Sequence, residues 1–318
     1  GMSSLMNYMQ IATTENTIYT SPDASKIFCY TPSIIVTPTG RLIVSFDLGG
    51  EGVKSIEGHK SSRAGGSRFG QGKIFISDDN GQKWTFVQNF PFWHARLFTI
   101  GNSIYLIGHA GDICIMKSED NGESWSDTYF LTHGEKWHSS ACNVLFSNGN
   151  VYLAMEQRCR LNEVTGWDVA GLSPTLFRAC VEDNLCLASS WSRSEKFIYK
   201  EVFDGAKLDF FGIPFYDCET NKPKEIATGI NNAPLGWLEA NVVKFVDKDH
   251  IWHTDLKEVF HLFLRAHTGG VNYAHLFKIE IQDDQSMIPS LEHTPSGQKI
   301  SYIPFPGGHL KFFIIYDQ

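Results

Sequence analysis

Two copies of one eight-residue turn constrain the fold of this chain more than any other feature. The chain reads SDDNGQKW at residues 77–84 and SEDNGESW at residues 118–125, so the pattern Ser-x-Asp-x-Gly-x-x-Trp recurs after 41 residues. In such a turn the Asp accepts backbone N–H bonds, the Gly takes a positive φ, and the Trp packs back between sheets. Recurrence at a fixed period indicates an architecture built from repeated units.

Pairs of strand-like segments surround the repeated turns. Apolar runs joined by Gly- or Asn-containing turns include PSIIVTPTGRLIVSFD, RLFTIGNSIYLIGH and CNVLFSNGNVYLAME. The first two pairs continue through a third strand into the repeated turn and then a fourth strand, which is the meander of a β-propeller blade. We therefore predict an all-β propeller of five or six four-stranded antiparallel blades. Inner strands are predicted to begin near Tyr30, His94, His138, Glu239 and His309.

The spacing of these starts sets the expected domain organisation. We expect a single domain over residues 1–318. The long interval between the third and fourth starts predicts an insertion at about 160–233, within which FRACVEDNLCLASSW has the pattern of outer strands around a degenerate turn. The chain stops at FIIYDQ, so the last blade is expected to be truncated or to be completed by the N-terminal segment.

The repeated turn resembles the Asp-box, or bacterial neuraminidase (BNR) repeat, and the chain resembles the sialidase superfamily of β-propellers. GWLEANVV and the later LFLRAH are similar to the family stretch that carries a catalytic Glu and one carboxylate-binding arginine. The resemblance covers most of residues 28–318, and it implies that the Asp-boxes lie on the rim and have a structural role. The residues concerned are Ser77, Asp79, Gly81, Trp84, Ser118, Asp120, Gly122 and Trp125.

The sialidase resemblance implies a mechanism that this sequence matches only in part. The family clamps a sugar carboxylate with three arginines and uses a Tyr nucleophile activated by a Glu. Glu239 matches that Glu, and Arg265 matches the second arginine. The first arginine is missing, because Tyr30-Thr31-Pro32 stands where the family reads Arg-Ile-Pro. The resemblance therefore implies the sialidase fold with an incomplete arginine clamp.

The blade geometry predicts a set of site residues of its own. In a propeller the inner strands begin around the central axis, so side chains at these starts are expected to converge on one funnel. Histidines there can act as general acids or bases near neutral pH. The predicted catalytic residues are Glu239, with Asp47 and Glu156 as candidates for a second carboxylate. The predicted substrate-binding residues are Arg265, His94, His138, His309, Arg158 and Tyr30.

Charge and composition exclude several classes of partner. A net charge of −8 and a pI near 5.8 argue against nucleic acid or an anionic membrane surface as a partner. No apolar run approaches the roughly 18 residues of a spanning helix. The expected partner is a small-molecule or glycan substrate, and the oligomeric state is left open. The N-terminus lacks the basic start and apolar core of a signal peptide, which favours a cytoplasmic over a secreted or periplasmic location.

The first functional hypothesis is a glycoside hydrolase resembling sialidases, acting on a sugar in the axial funnel. No cofactor is expected. No metal site is predicted, because the seven cysteines form no Cys-x-x-Cys and the histidines form no short ligand motif. Two alternatives remain open. One is a non-catalytic carbohydrate-binding or interaction propeller that lost the arginine clamp, and the other is a metal-dependent lyase or hydrolase in which the histidines hold the ion.

Overall fold

The fold is described from a computed structural model of the chain. The chain divides into two compact units, the first comprising residues 1–110 and 116–128, and the second comprising residues 111–115 and 129–318. The structure describes residues 16–62, 69–138, 143–159, 171–203, 210–211, 224–228, 230–232, 236–267, 273–297, 299–300 and 303–304.

The first sheet belongs to unit one. Its strands are β1 (Phe28–Val36), β2 (Leu42–Gly49), β3 (Ser61–Ser62), β4 (Phe69–Ser77) and β5 (Thr85–Phe90). The strand order is β1-β2-β4-β3, and β5 also pairs with β4. A short 3-10 helix, Glu51–Ser55, follows β2. The four long strands run antiparallel in chain order, as expected for one blade.

The second and third sheets repeat this meander. The second has the order β6-β7-β8-β9, with β6 (Trp93–Ile100), β7 (Ser103–Ala110), β8 (Asp112–Ser118) and β9 (Tyr129–Phe130). The third, in unit two, begins with two short strands that both pair with its first long strand. Its strands are β10 (Trp137–His138), β11 (Leu145–Ser147), β12 (Asn150–Arg158), β13 (Leu172–Cys180) and β14 (Trp191–Arg193). The 3-10 helix Ala188–Ser190 precedes β14.

Two small strand pairs in the described part of unit two are β15 (Phe210–Phe211) with β22 (Lys299–Ile300), and β16 (Lys224–Ala227) with β17 (Ile230–Asn232). The fourth sheet also lies in unit two. Its long strands are β18 (Gly236–Val243), β19 (Val259–His267), β20 (Tyr273–Ile281) and β21 (Met287–Leu291). They are paired in this order, and the short β23 (Ile303–Pro304) pairs with β20.

The longest α-helix in the described part of the chain, α1 (Tyr199–Phe203), has five residues. Among the residues that the structure describes, no helix combines the length and apolar character needed to cross a membrane.

Local sequence explains why the hairpins form. In the third sheet, Ser147 pairs with Asn150 across a two-residue turn. The two central residues, Asn148 and Gly149, have φ values of 50° and 75°. Asn and Gly adopt positive φ at low cost, and a turn with both residues in that region matches the twist of the flanking strands.

The two repeated turns have the same hydrogen bonds. In the first, Ser77 Oγ donates to Asp79 Oδ1 at 2.8 Å and accepts the N–H of Gly81 at 2.9 Å. Asp79 Oδ1 accepts the N–H of Lys83 at 2.8 Å. Gly81 has a φ of 83°. The predicted combination of Asp acceptor and positive-φ glycine is therefore present in the first copy.

The second copy repeats these contacts. Ser118 Oγ donates to Asp120 Oδ1 and accepts the N–H of Gly122, both at 2.9 Å, and Asp120 accepts the N–H of Ser124. Gly122 has the same φ of 83°. Trp125 donates from Nε1 to the carbonyl of Gly122, which folds its ring back onto the turn.

Each unit has an apolar core. In unit one, Phe46 and Phe75 stack at 5.7 Å, and Trp84 from the first repeated turn packs against the same cluster. In unit two, Trp237, Phe260 and Phe277 are fully buried. The rings supply a large apolar area per residue, which suits strands that pack face to face.

The predicted fold class is confirmed: the described chain is all-β, with four antiparallel blade-like sheets and almost no helix. FRACVEDNLCLASSW lies in and between β13 and β14, so its interpretation as outer strands is also confirmed. The predicted fifth blade, near His309, lies outside the described residues. The single domain and the insertion at about 160–233 stay predictions.

Candidate active site

Three of the four sheets begin with the same backbone irregularity. In β1, β6 and β18 the pairing with the second strand shifts near the start of the strand. The first residue inside each shift is Thr31, His94 or Glu239, with φ values of 52°, 50° and 61°. Non-glycine residues rarely adopt this conformation, and those that do cluster at functional sites. Two of the three, His94 and Glu239, are residues that the sequence analysis assigned to the site.

In unit one the bulge connects Asp47, His94 and His109. Asp47 is fully buried, and its Oδ1 accepts the backbone N–H of His94 at 3.2 Å. The Nδ1 of His94 lies 2.7 Å from Nε2 of His109, and the two rings stack at 5.0 Å. One imidazole must donate to the other, so the contact fixes complementary tautomers.

Tyr30 lies on the exposed edge strand of the same sheet, opposite Asp47 in the register. Its ring is 44% exposed and forms an edge-to-face pair with Phe28 at 6.5 Å. Between them, Cys29 has a thiol pKa raised by burial and by the nearby Asp47 carboxylate. Tyr30 and Phe28 therefore present an aromatic surface, which can stack on an apolar face of a ligand.

In unit two the central contact is an ion pair between Glu239 and Arg265. Glu239 is 7% exposed and begins the inner strand β18, whereas Arg265 lies near the end of β19. Arg265 Nη2 donates to Glu239 Oε1 at 3.0 Å, and Nε lies 2.8 Å from Oε2. Both carboxylate oxygens thus face the guanidinium. The resemblance assigned both residues to the site, but it gave no indication that they bind each other.

A second carboxylate lies next to this ion pair. Glu156 on β12 is 1% exposed, and its Oε1 accepts the backbone N–H of Ala240 at 2.9 Å. His138 pairs with Glu156 across the strands, and its Nδ1 lies 3.5 Å from Nη2 of Arg158. The structure therefore brings together Glu156, Glu239, Arg265, His138 and Arg158 within unit two.

The acidic residues Asp47 and Glu156 have the same structural role. Each lies near the end of the second strand of its sheet and accepts a backbone N–H from the bulge of the next sheet, at His94 and at Ala240 respectively. A buried amide N–H without an acceptor is costly, so these carboxylates stabilise the bulges. Their predicted catalytic role stays a prediction.

Two buried titratable groups of unit two escaped the sequence analysis. His275 is 1% exposed, its ring lies 5.6 Å from that of Trp237, and burial lowers its pKa to about 3. The carboxyl of Glu292 has a pKa below its usual value. Burial by itself raises this pKa, but hydrogen bonds from His261 Nε2 at 2.6 Å and from the N–H of His293 stabilise the charged form and lower it. His275 is distant in sequence from Trp237, and Glu292 is distant from His261, so no local pattern predicts these two contacts.

A cavity of about 370 Å³ lies elsewhere in unit two. It is lined by the connection between β18 and β19, including Lys244, Trp252 and His253. Lys244 is bound there by Ser147 and Glu258. None of the predicted site residues lines this cavity. Of those residues, His309 lies outside the described part of the chain.

Comparisons with known proteins return no match to any family model or curated protein. Several solved structures are similar in fold. An α-L-arabinofuranosidase from Lactobacillus brevis shares 14% identity, with 86% of this chain and 82% of that chain covered and a TM-score of 0.48. An α-L-arabinanase from Penicillium chrysogenum shares 12%, covers 91% and 73%, and has a TM-score of 0.43.

The NanB sialidase from Streptococcus pneumoniae shares 11% identity over 88% of this chain and 50% of that chain, with a TM-score of 0.46. Because these TM-scores lie below 0.5, we base the functional proposals on the residues of this chain alone.

Proposed function

We propose that the protein is a glycoside hydrolase of the sialidase-like, Asp-box β-propeller type, acting on a sugar bound beside Glu239. The observation that supports it is the pair of buried carboxylates in unit two. Glu239 is held in a strained conformation, and Glu156 bonds to the backbone N–H of the very next residue. Most glycosidases use two carboxylates flanking the scissile bond, and backbone strain is often retained at active sites.

The neighbouring groups suit a sugar ligand. Arg265 and Arg158 provide donors, and His138 provides an imidazole that can exchange a proton near neutral pH. In this proposal Glu239 is the acid/base or nucleophile-assisting carboxylate, and Glu156 is its partner. The two repeated turns are structural Asp-boxes and take no part in the chemistry. Because one fold hosts many activities, the assignment depends on these side chains and not on the architecture.

The test is a screen of aryl glycosides and glycans with the wild type and Glu239→Gln. We expect the wild type to cleave at least one glycoside and the variant to be slower by about 100-fold or more. Gln keeps the shape of the side chain, and unfolding curves of both proteins check that the fold is retained. Cleavage of no glycoside by the wild type, or equal cleavage by both proteins, would contradict the proposal.

A non-catalytic carbohydrate-binding protein is the second candidate. The exposed edge-to-face pair of Phe28 and Tyr30 favours it, because aromatic surfaces stack on sugar rings without performing chemistry. This function predicts binding without cleavage in a glycan array. Tyr30→Ala should then weaken binding, whereas Glu239→Gln should leave it unchanged.

A further inference from the structure

The strand that carries Glu239 lies at one end of the fourth sheet. Among the described strands, β18 pairs with β19 alone. Residues on β18 are nevertheless buried, with Ala240 and Val242 1% and 0% exposed. Buried backbone N–H and C=O groups need hydrogen-bond partners, because leaving one unpaired costs about as much as losing a hydrogen bond. The groups of β18 that do not face β19 must therefore find their partners outside their own sheet.

Asn143, two residues before β11, supplies partners for one residue of β18. Its Nδ2 donates to the carbonyl of Val242 at 2.7 Å, and its Oδ1 accepts the N–H of Val242 at 2.8 Å. Asn143 is 4% exposed, so both bonds are shielded from water. An Asn side chain carries the same amide group as the backbone. The side chain of Asn143 thus takes the place that a neighbouring strand would occupy.

Glu156 binds the same edge of β18 closer to Glu239, through the N–H of Ala240 at 2.9 Å. Side chains from the third sheet and the segment before β11 therefore hold the backbone one and three residues after Glu239. Glu239 itself has a φ of 61° inside a shift of the strand pairing. A non-glycine residue keeps such a conformation only where its surroundings fix it.

Unit one contains the same arrangement in its own sheets. Ser33 on β1 is 8% exposed, and its Oγ accepts the N–H of Leu97 on β6 at 3.0 Å. Leu97 follows the positive-φ residue His94 by three positions, as Val242 follows Glu239. In both units, a side chain from an earlier segment thus binds the strand three residues beyond the bulge. The recurrence indicates that this contact belongs to the bulge.

We propose that Asn143 is a positioning residue for Glu239. By binding both backbone groups of Val242, it fixes the part of β18 that follows the bulge and thereby the place of the Glu239 carboxylate. The proposal rests on the proposed function where it concerns reaction rates, whereas its claim about the backbone of β18 does not. A displacement of about 1 Å in a reacting group can cost about 100-fold in rate.

The activity test compares Asn143→Leu, which has a similar volume and cannot form the two hydrogen bonds, with Ser194→Ala. Ser194 Oγ accepts the buried N–H of Leu176 on β13 at 2.9 Å. The control therefore removes the same kind of bond in the same unit, away from β18. We expect Asn143→Leu to lower kcat at least about tenfold with little change in KM, because Asn143 acts through the strand and not on the substrate.

Ser194→Ala should keep the wild-type kcat at a temperature where unfolding curves show every protein to be folded. Wild-type kcat in folded Asn143→Leu would overturn the proposal. An equal loss of kcat in both variants would overturn it as well, since the effect would then follow from lower stability in general.

A double variant tests whether Asn143 acts through Glu239. Two changes that act on one group are not additive. We therefore expect Asn143→Leu to slow Glu239→Gln by less than about twofold, although it slows the wild type about tenfold. A further tenfold loss in the double variant would show that Asn143 affects the rate independently of Glu239, which contradicts the proposal.

Amide hydrogen exchange followed by NMR tests the inference without a substrate. In Asn143→Leu, the N–H groups of Val242 and Ala240 should exchange at least about tenfold faster, relative to Phe277 on the interior strand β20. Ser194→Ala should leave these ratios unchanged. Faster exchange confined to Val242 would overturn the positioning role, because the change would not extend towards Glu239.

Asn143→Asp is the second variant should Asn143→Leu not fold, since it keeps the shape and replaces the donor to the Val242 carbonyl by an acceptor. The wild type alone provides a further check, because rapid exchange of its Val242 N–H would overturn the inference. If the wild type cleaves no glycoside, the proposed function fails, and the exchange measurements still decide the role of Asn143.

Discussion

Glu239 combines three properties that rarely occur together in one residue. It is buried, it has a positive φ inside a strand, and it is ion-paired through both carboxylate oxygens. His94 and Thr31 occupy corresponding bulges with the same backbone conformation but different side chains. The positive-φ bulge therefore recurs in three sheets, and the side chain at each bulge determines the local chemistry.

Glu156 allows the structural and chemical roles of a buried carboxylate to be separated. Glu156→Ala removes the acceptor of the Ala240 N–H, so we expect the free energy of unfolding to fall by about 1–3 kcal/mol. Glu156→Gln keeps an oxygen acceptor and should lose less stability. If Glu156 is the second catalytic carboxylate, the Gln variant should nevertheless cleave glycosides about 100-fold more slowly. Urea unfolding measures the change in stability, and initial rates measure the change in activity. If Glu156→Gln cleaves glycosides as fast as the wild type, Glu156 has only a structural role.

At the scale of elements, the repeated turns illustrate how local interactions can determine the conformation of eight residues. Each turn satisfies its backbone N–H groups with its own Ser and Asp side chains, so it needs few distant contacts to form. The strands before and after it supply the apolar face, and the turn sets where the chain reverses. This explains why the pattern can recur unchanged in two sheets of different core composition.

We expect Ser77→Ala to destabilise the protein by about 1–2 kcal/mol, because it removes the acceptor of the buried Gly81 N–H. Ser118→Ala should have a similar effect through Gly122. Gln82→Ala in the same turn is the matched control and should change stability by less than about 0.5 kcal/mol, since its side chain is exposed. Thermal unfolding measures all three. A loss for the control as large as for Ser77→Ala would refute the assigned role.

At the scale of the whole molecule, the buried His275 predicts a dependence of stability on pH. Its pKa is about 3 in the folded chain, against an ordinary value of 6.5, so the unfolded chain binds one more proton between these values. Stability contributed by neutral His275 is therefore full above pH 6.5 and is lost as the pH falls towards 3, by up to about 1.4 kcal/mol per pH unit.

His275→Phe keeps a ring against Trp237 and removes the titrating group. We expect its free energy of unfolding, measured in urea at pH 7 and pH 4.5, to fall less with acidification than that of the wild type. The comparison of slopes is insensitive to any constant loss of stability from the substitution. Equal slopes in both proteins would show that His275 does not titrate on unfolding.

Features that depend on local interactions could be predicted from the sequence. The Ser-x-Asp-x-Gly-x-x-Trp turns, the Asn148-Gly149 hairpin and the alternating strands depend on neighbouring residues, so they were predictable, and with them the all-β fold. The partners of the buried charged groups could not be predicted, because they depend on how distant strands pack together. The sequence assigned Arg265 to substrate binding and Asp47 and Glu156 to catalysis, and these roles stay predictions. It gave no indication that Arg265 pairs with Glu239 or that each acid accepts a backbone N–H from the next sheet. These pairings join residues 26 to 84 positions apart. They depend on strand register and on the bulges, which no local pattern encodes, because a hydrogen bond requires an acceptor within about 3 Å and only the packed sheets bring these atoms that close.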